Sequence, residues 1–268
     1  MSSLTVGASD VRGYDPVELS LHIYPRVCKR VGNVELRRYY RFRGGRWYGG
    51  IATADVIGCN LSCRFCWSWR FRSNYSLGSF YEPLEVYSKL LSIAKDRGYR
   101  YVRLSGAEPT ISKDHLISLL NLFRDSKFVF ILETNGILIG NDESYAKELA
   151  RYDNLVVRVS FKGTTPEEFN LLTGARPEFF NLQFKALINL INAGFKAGKD
   201  VYAAAMIGFS SDESIVKFVK ELKSIDPGLV DVDWEYVILY PHVEVLLRKY
   251  GLKPLRSVSP NSIPHEMI

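Results

Sequence analysis

The stretch Ile51-Ala52-Thr53-Ala54-Asp55-Val56-Ile57-Gly58-Cys59-Asn60-Leu61-Ser62-Cys63-Arg64-Phe65-Cys66 reads as a short apolar strand that runs straight into three cysteines. Only one other cysteine, Cys28, occurs in the chain. Soft thiolates gathered this tightly suit zinc or an iron–sulfur cluster, and three ligands leave one metal position open. A structural zinc site normally closes with four ligands, often two cysteine pairs or a pair with histidines. The chain has no second pair and its histidines, His22, His115, His242 and His265, are scattered, so zinc would need a distant fourth ligand.

Outward from this stretch, five more strand candidates follow: Tyr101–Leu104, Val129–Glu133, Leu155–Ser160, Val201–Ile207 and Asp233–Leu239. Helical candidates lie between them at Leu84–Arg97, Lys113–Arg124, Glu143–Arg151, Phe179–Ala193 and Ser214–Lys223. Thr165-Pro166-Glu167-Glu168 supplies an N-cap, a proline at the first helical position and a reciprocal glutamate, while Asn141 and Ser211 read as further caps. Alternating strands and helices indicate βα units on a parallel sheet. The expected fold is α/β, a partial TIM-like (β/α)6 barrel with an N-terminal basic extension; a doubly wound sheet is the alternative. In such a barrel, reactive groups sit at the C-terminal ends of strands. The cysteines obey that rule, as do Ser105-Gly106-Ala107-Glu108, Glu133-Thr134-Asn135-Gly136, Ser160-Phe161-Lys162 and Tyr240-Pro241-His242.

With 268 residues and 47% hydrophobic composition, the chain can bury a sizeable core. The expected organisation is an N-terminal extension at 1–48, a core domain at 49–250 and an irregular tail at 251–268. No long apolar run and no signal-like N-terminus occur, so a soluble, cytoplasmic protein without a membrane partner is expected. The formal charge of +6 is uneven: Arg26, Lys29, Arg30, Arg37, Arg38, Arg41, Arg43 and Arg46 face only Glu35 across one stretch, interleaved with Tyr39, Tyr40, Phe42, Trp47 and Tyr48. Residues 26–48 read either as a platform for RNA or as a hairpin covering one end of the domain, with Gly44-Gly45 at its turn. An anionic substrate would use the same charge.

Cys59-x3-Cys63-x2-Cys66, with Phe65 just before the last cysteine, resembles the signature of the radical S-adenosylmethionine superfamily. The resemblance implies that Cys59, Cys63 and Cys66 bind a [4Fe–4S] cluster whose fourth iron meets the amino and carboxylate groups of S-adenosylmethionine. It implies too that reductive cleavage gives a 5′-deoxyadenosyl radical, that Phe65 lies near the adenine, and that an electron donor protein is needed. Ser105-Gly106-Ala107-Glu108 resembles the family's Gly-Gly-Glu motif, which meets the cofactor's amino group; Ala107 replaces the second glycine, which matters if that position needs positive φ. Glu133-Thr134-Asn135-Gly136 is similar to a segment of the glycyl-radical-enzyme activases, implying Glu133 and Asn135 as contacts. Ser160-Phe161-Lys162 aligns with the activases' Asp-Leu-Lys, implying Lys162 on the cofactor carboxylate, with Ser160 in place of the aspartate. Ile238-Leu239-Tyr240-Pro241-His242 resembles the segment that brings a histidine toward the cofactor.

The resulting expectation is a radical S-adenosylmethionine oxidoreductase that abstracts hydrogen from an unidentified protein or small molecule, with an activase-like order of motifs. The alternatives are an RNA nucleobase-modifying enzyme of the same superfamily and a non-catalytic metal-binding redox module. Trp67 and Trp69 follow the cysteines, either as aromatic cover for the cluster or as core packing of a barrel-end loop, and either role predicts burial of at least one indole. Cys28 and Met206 read as packing residues.

Overall fold

The computed structural model describes residues 13–264; His265 lies outside them. Asp15 caps α1 (Pro16–Val27) by accepting from the amides of Val17 and Glu18, and Pro16 presets φ in the first turn. β1 (Cys28–Val31) and β2 (Val34–Gly45) form an antiparallel hairpin, and β2 pairs antiparallel with β3 (Ile51–Val56). The basic, aromatic stretch is thus woven into the sheet that carries the cysteines. Its expected turn is displaced. Gly44 and Gly45 pair with Ala52 and Ile51 inside the ladder, and the chain reverses at 46–50, where Tyr48, Gly49 and Gly50 take φ of 57°, 74° and 130°.

After β3 come the cysteine loop, the short α2 (Trp69–Ser73) and β4 (Ser79–Tyr81), which pairs with β2. The βα units follow. α3 (Pro83–Asp96), started by a Glu82/Glu85 capping box, leads to β5 (Tyr101–Ser105). α4 (Lys113–Phe123) leads to β6 (Val129–Thr134), and α5 (Ile137–Asn141) with α6 (Glu143–Leu149) leads to β7 (Leu155–Phe161). α7 (Pro166–Thr173) and α8 (Phe180–Asn192) precede β8 (Val201–Met206); α9 (Asp212–Ile225) precedes β9 (Asp233–Glu235). Thr165 and Ser211 cap α7 and α9 as expected, by accepting from Glu168 and Ser214 amides. Asn141 does not cap α6: it ends α5, and Asp142 accepts from the Ser144 amide instead.

The six parallel strands run in the order β3-β5-β6-β7-β8-β9 with no reversal, which fits a partial barrel rather than a doubly wound sheet. The sixth strand candidate splits. Asp233–Glu235 pairs with β8, after which β10 (Val237–Ile238) leaves the sheet, α10 (Pro241–Tyr250) follows, and β11 (Ser257–Val258) returns to pair with β10. The expected irregular tail is therefore partly structured, and Arg256 fastens it by donating to the carbonyl of Ser210 at 2.6 Å.

Helices pack outside the sheet over a core rich in Leu, Val and Phe, with Phe161, Phe180, Phe184 and Phe218 meeting edge to face or tilted. α5 approaches α8 so closely that a Cβ at Gly140 would stand 1.9 Å from the Leu182 carbonyl oxygen. Backbone cannot yield as a flexible side chain does, so Gly140→Ala is expected to destabilise the fold by ~1–3 kcal/mol in urea denaturation. A change below ~0.5 kcal/mol would show that the two helices separate freely.

Candidate active site

The C-terminal ends of the parallel strands and the hairpin enclose a cavity of about 1210 Å³. Cys59, Cys63 and Cys66 line it together with Phe65, Ser105, Gly106, Ala107, Glu108, Glu133, Asn135, Ser160, Lys162 and His242, so every site residue named from the sequence meets this one space. Small-molecule pockets typically span ~300–1,000 Å³, so this one has room for a cofactor and a second molecule.

The cysteine loop is tied down by backbone and by distant side chains. Gly58 and Cys59 amides donate to the Phe71 and Arg72 carbonyls, Arg72 donates to the Cys63 carbonyl at 2.6 Å, and the Ser62 amide donates to the Tyr14 hydroxyl at 2.7 Å. Burial pushes all three thiols up, Cys66 to about 11. Thiols in that state lose their protons to a bound metal centre, because the thiolate is the ligand and the cation offsets its charge. Among the described residues no three His, Cys, Asp or Glu side chains converge on one ion. A cubane cluster instead takes each thiolate at a separate iron, and the donor set fits it.

Gly106, with φ of 94°, carries the left-handed turn of its motif, and Tyr48 is the only non-glycine residue with positive φ among the described residues. Ala107 therefore keeps an ordinary conformation, and its methyl group is no obstacle. Glu108 is 1% exposed, and its carboxylate accepts from the Thr110 amide and hydroxyl, the Thr134 hydroxyl and the Asn135 amide. Those four donors make it a brace that locks two strand-end loops together. Asn135 in turn donates to Asn60 Oδ1 at 2.7 Å and reaches Cys59 Sγ at 3.9 Å.

Deeper in the barrel lies an ionic network that the strand pattern concealed. Glu133 accepts from Arg103 at 2.5 Å, Ser105 at 2.6 Å and Tyr48 at 3.0 Å. Burial works to raise its pKa, but Arg103 and Arg158, aided by these donors, hold it down at about 2. Arg158 pairs with Asp233 at 2.6 Å and Glu235 at 2.8 Å, and Lys162 lies 3.5 Å from Glu235 while donating to Ser160. Burial disfavours the Lys162 ammonium more than any single neighbour favours it, yet Glu235 together with the Cys63 and Cys59 thiolates raises the pKa. Charged residues at Arg103 and Arg158, inside otherwise apolar strands, were the available signal for this layer.

Two expectations need correction. Trp67 and Trp69 remain 42% and 38% exposed. α2 buries none of its residues, and its Phe71 stacks 3.6 Å from the Tyr40 ring on the cavity wall. Arg37 is not a surface group: it is 1% exposed and donates to the Val27 and Glu108 carbonyls. Arg38 donates to the Arg26 and Gly78 carbonyls and Arg41 to Asp55, so these three arginines form no common phosphate-binding face. His242 bonds through Nε2 to the Trp67 carbonyl at 2.8 Å and stacks on Tyr240, which fastens α10 to the loop after the cysteines. Cys28 and Met206 are buried among apolar neighbours, as expected. No helix among the described residues is long and apolar enough to cross a membrane.

Comparison with known proteins yields a match between residues 56–223 and the family model described as Radical SAM superfamily. A probable GTP 3′,8-cyclase of Methanococcus vannielii is 31% identical over 116 residues, covering 43% of this chain and 37% of that protein. A putative glycyl-radical enzyme activating enzyme of Methanocaldococcus jannaschii is 28% identical over 85 residues, covering 32% of this chain and 33% of that protein. The chain thus spans only about a third of the length of these curated relatives. The crystal structure of Streptococcus suis SuiB bound to precursor peptide SuiA superposes with a TM-score of 0.56 at 20% identity, over 78% of this chain and 48% of that one. It shares the fold.

Proposed function

Since the chain belongs to the radical S-adenosylmethionine superfamily, enzymes that bind a [4Fe–4S] cluster and S-adenosylmethionine and draw on an electron donor, we propose that it abstracts hydrogen from a substrate held in this cavity. Bound there, cluster and cofactor supply the electron transfer and the 5′-deoxyadenosyl radical. Cys59, Cys63 and Cys66 provide the thiolates. The carbonyls of Ser105, Gly106 and Ala107 accept from the cofactor ammonium, with Glu108 holding their loop from behind. Lys162 donates to Ser160 and lies 3.5 Å from Glu235, which leaves N–H donors for the cofactor carboxylate. Glu133, Asn135 and Ser160 fix the strand ends on which these groups stand, Phe65 flanks the adenine, and His242 holds the mouth.

The observation that carries this reading is the convergence of three thiols and four strand-end segments on one cavity. Anaerobic reconstitution with iron and sulfide, followed by reduction with S-adenosylmethionine, is expected to yield 5′-deoxyadenosine and methionine. An intact cluster that forms neither product would overturn it, and would favour a non-catalytic redox module. A second reading, abstraction from a glycine of a partner protein, is supported by the Glu133-Thr134-Asn135-Gly136 segment and the similarity to an activating enzyme. It expects a glycyl-radical doublet in the electron paramagnetic resonance spectrum of a copurified partner; a copurified partner silent after turnover counts against it.

A further inference from the structure

Resting on the reading of this cavity as a substrate site, we propose that Arg41 and Arg43, gathered on the single carboxylate of Asp55, recognise an oxyanion group, phosphate or carboxylate, on the substrate. Asp55 lies near the C-terminal end of β3, directly opposite Ser105 in the ladder, and its side chain is fully buried. Its Oδ2 accepts from Arg41 Nε at 2.7 Å and from Arg43 Nε at 2.8 Å, and Oδ1 accepts from a terminal nitrogen of Arg43 at 3.3 Å. One negative charge thus anchors two positive ones. The Arg41 and Arg43 side chains stay 43% and 26% exposed, both on the cavity wall. Arg41, held by Nε, keeps its terminal N–H groups, and Arg43 keeps the terminal nitrogen not turned to Asp55; such planar N–H groups match phosphate and carboxylate oxygens.

A second, independent feature aims them there. The β2–β3 register slips between Tyr39 and Arg41, as a bulge does. Tyr39 and Phe42 stack on one face at 5.5 Å, while Arg41 and Arg43 reach the opposite one with Tyr40. The site also abuts the loop assigned to the cofactor, since a Cβ on Gly106 would stand 3.0 Å from Asp55 Cβ and 3.1 Å from the Tyr40 ring. The wider cavity has the same bias: eight cationic side chains line it against five carboxylates. Deep in the lumen Arg103, Arg158 and Lys162 are matched by Glu133, Asp233 and Glu235. Of the other five cations, Arg41, Arg43 and Arg46 stand on the hairpin and its turn.

The test is calorimetric titration of the reconstituted protein with inorganic phosphate and, separately, with acetate, at fixed ionic strength. Saturable binding of phosphate is expected, weakened at least tenfold by the Arg41→Gln/Arg43→Gln pair and several-fold by Arg41→Lys/Arg43→Lys, which keeps the charge and loses the planar N–H groups. Phosphate binding without acetate binding identifies a phosphoryl substrate; binding of both points to a carboxylate as well. Cluster absorbance confirms that each variant is assembled. No saturable binding to the native chain, or equal affinity in both double variants, overturns the proposal. Wild-type protein that forms 5′-deoxyadenosine yet ignores both anions refutes this assignment alone, whereas arginine-dependent binding without 5′-deoxyadenosine refutes the radical chemistry alone.

Discussion

Replacing Cys63 with alanine is expected to lower bound iron below a full cluster, bleach the visible absorbance and bring 5′-deoxyadenosine formation down to the protein-free background. Burial disfavours the Cys63 thiolate, and Lys162, Arg72 and a backbone hydrogen bond offset it only in part. With Cys63 gone, only two of the three clustered thiolates that would hold a cluster remain. Cys28→Ala is the internal comparison. Cys28 packs with Ile23, Val27, Ile57 and Ile111, so its loss should cost about 1 kcal/mol of stability and leave the iron content intact. Full iron in Cys63→Ala together with depleted iron in Cys28→Ala would reverse the ligand assignment. Circular dichroism at matched temperature separates loss of metal from loss of fold.

Arg158→Met should destabilise the chain by about 3–5 kcal/mol in urea denaturation at neutral pH, because it strips Asp233 and Glu235 of a buried partner. The same network predicts an acid limit. Glu133 has its pKa lowered from 4.5 to about 2 in the fold, so the unfolded chain binds its proton first. Its stabilisation is complete above about pH 4.5 and drains away as pH falls toward about 2. In Arg158→Met one of the two cations facing Glu133 is gone, so this acid-dependent loss should shrink. A cost below ~1 kcal/mol, with an unchanged acid profile, would mean that water rather than Arg158 neutralises the cluster of carboxylates.

The barrel was legible because the first five parallel strands are largely apolar runs ended by glycine or polar residues, a pattern that survives in one dimension; the sixth, Asp233-Trp234-Glu235, has none of it. The cysteine loop was legible because its ligands are local. The ionic floor was not. Arg103, Glu133, Arg158 and Glu235 stand on four strands and belong together only after strand order and register are set. Residues 26–48 misled for a related reason: a cluster of arginines in sequence does not tell which face of a strand each will take. A bulge at Tyr40 sends Arg41 and Arg43 into the cavity, whereas Arg37 enters the core. The tail was hidden because a two-residue strand pairing across a helix leaves no periodic trace.

Tyr48 holds a backbone conformation that bulky residues resist, with φ of 57°, while its hydroxyl donates to Glu133 and lies 3.4 Å from that of Tyr202. Relaxing this turn costs more than it returns, because a hydrogen bond to a carboxylate contributes about 1.5–3 kcal/mol. Asparagine or glycine there relieves roughly 1 kcal/mol of left-handed strain. The same exchange removes the phenol that walls the deep end of the cavity and lets water reach the carboxylate behind it. At this single turn, an awkward backbone is kept because the side chain it presents seals the carboxylate, so a variant that relaxes the turn should be both less stable and wetter.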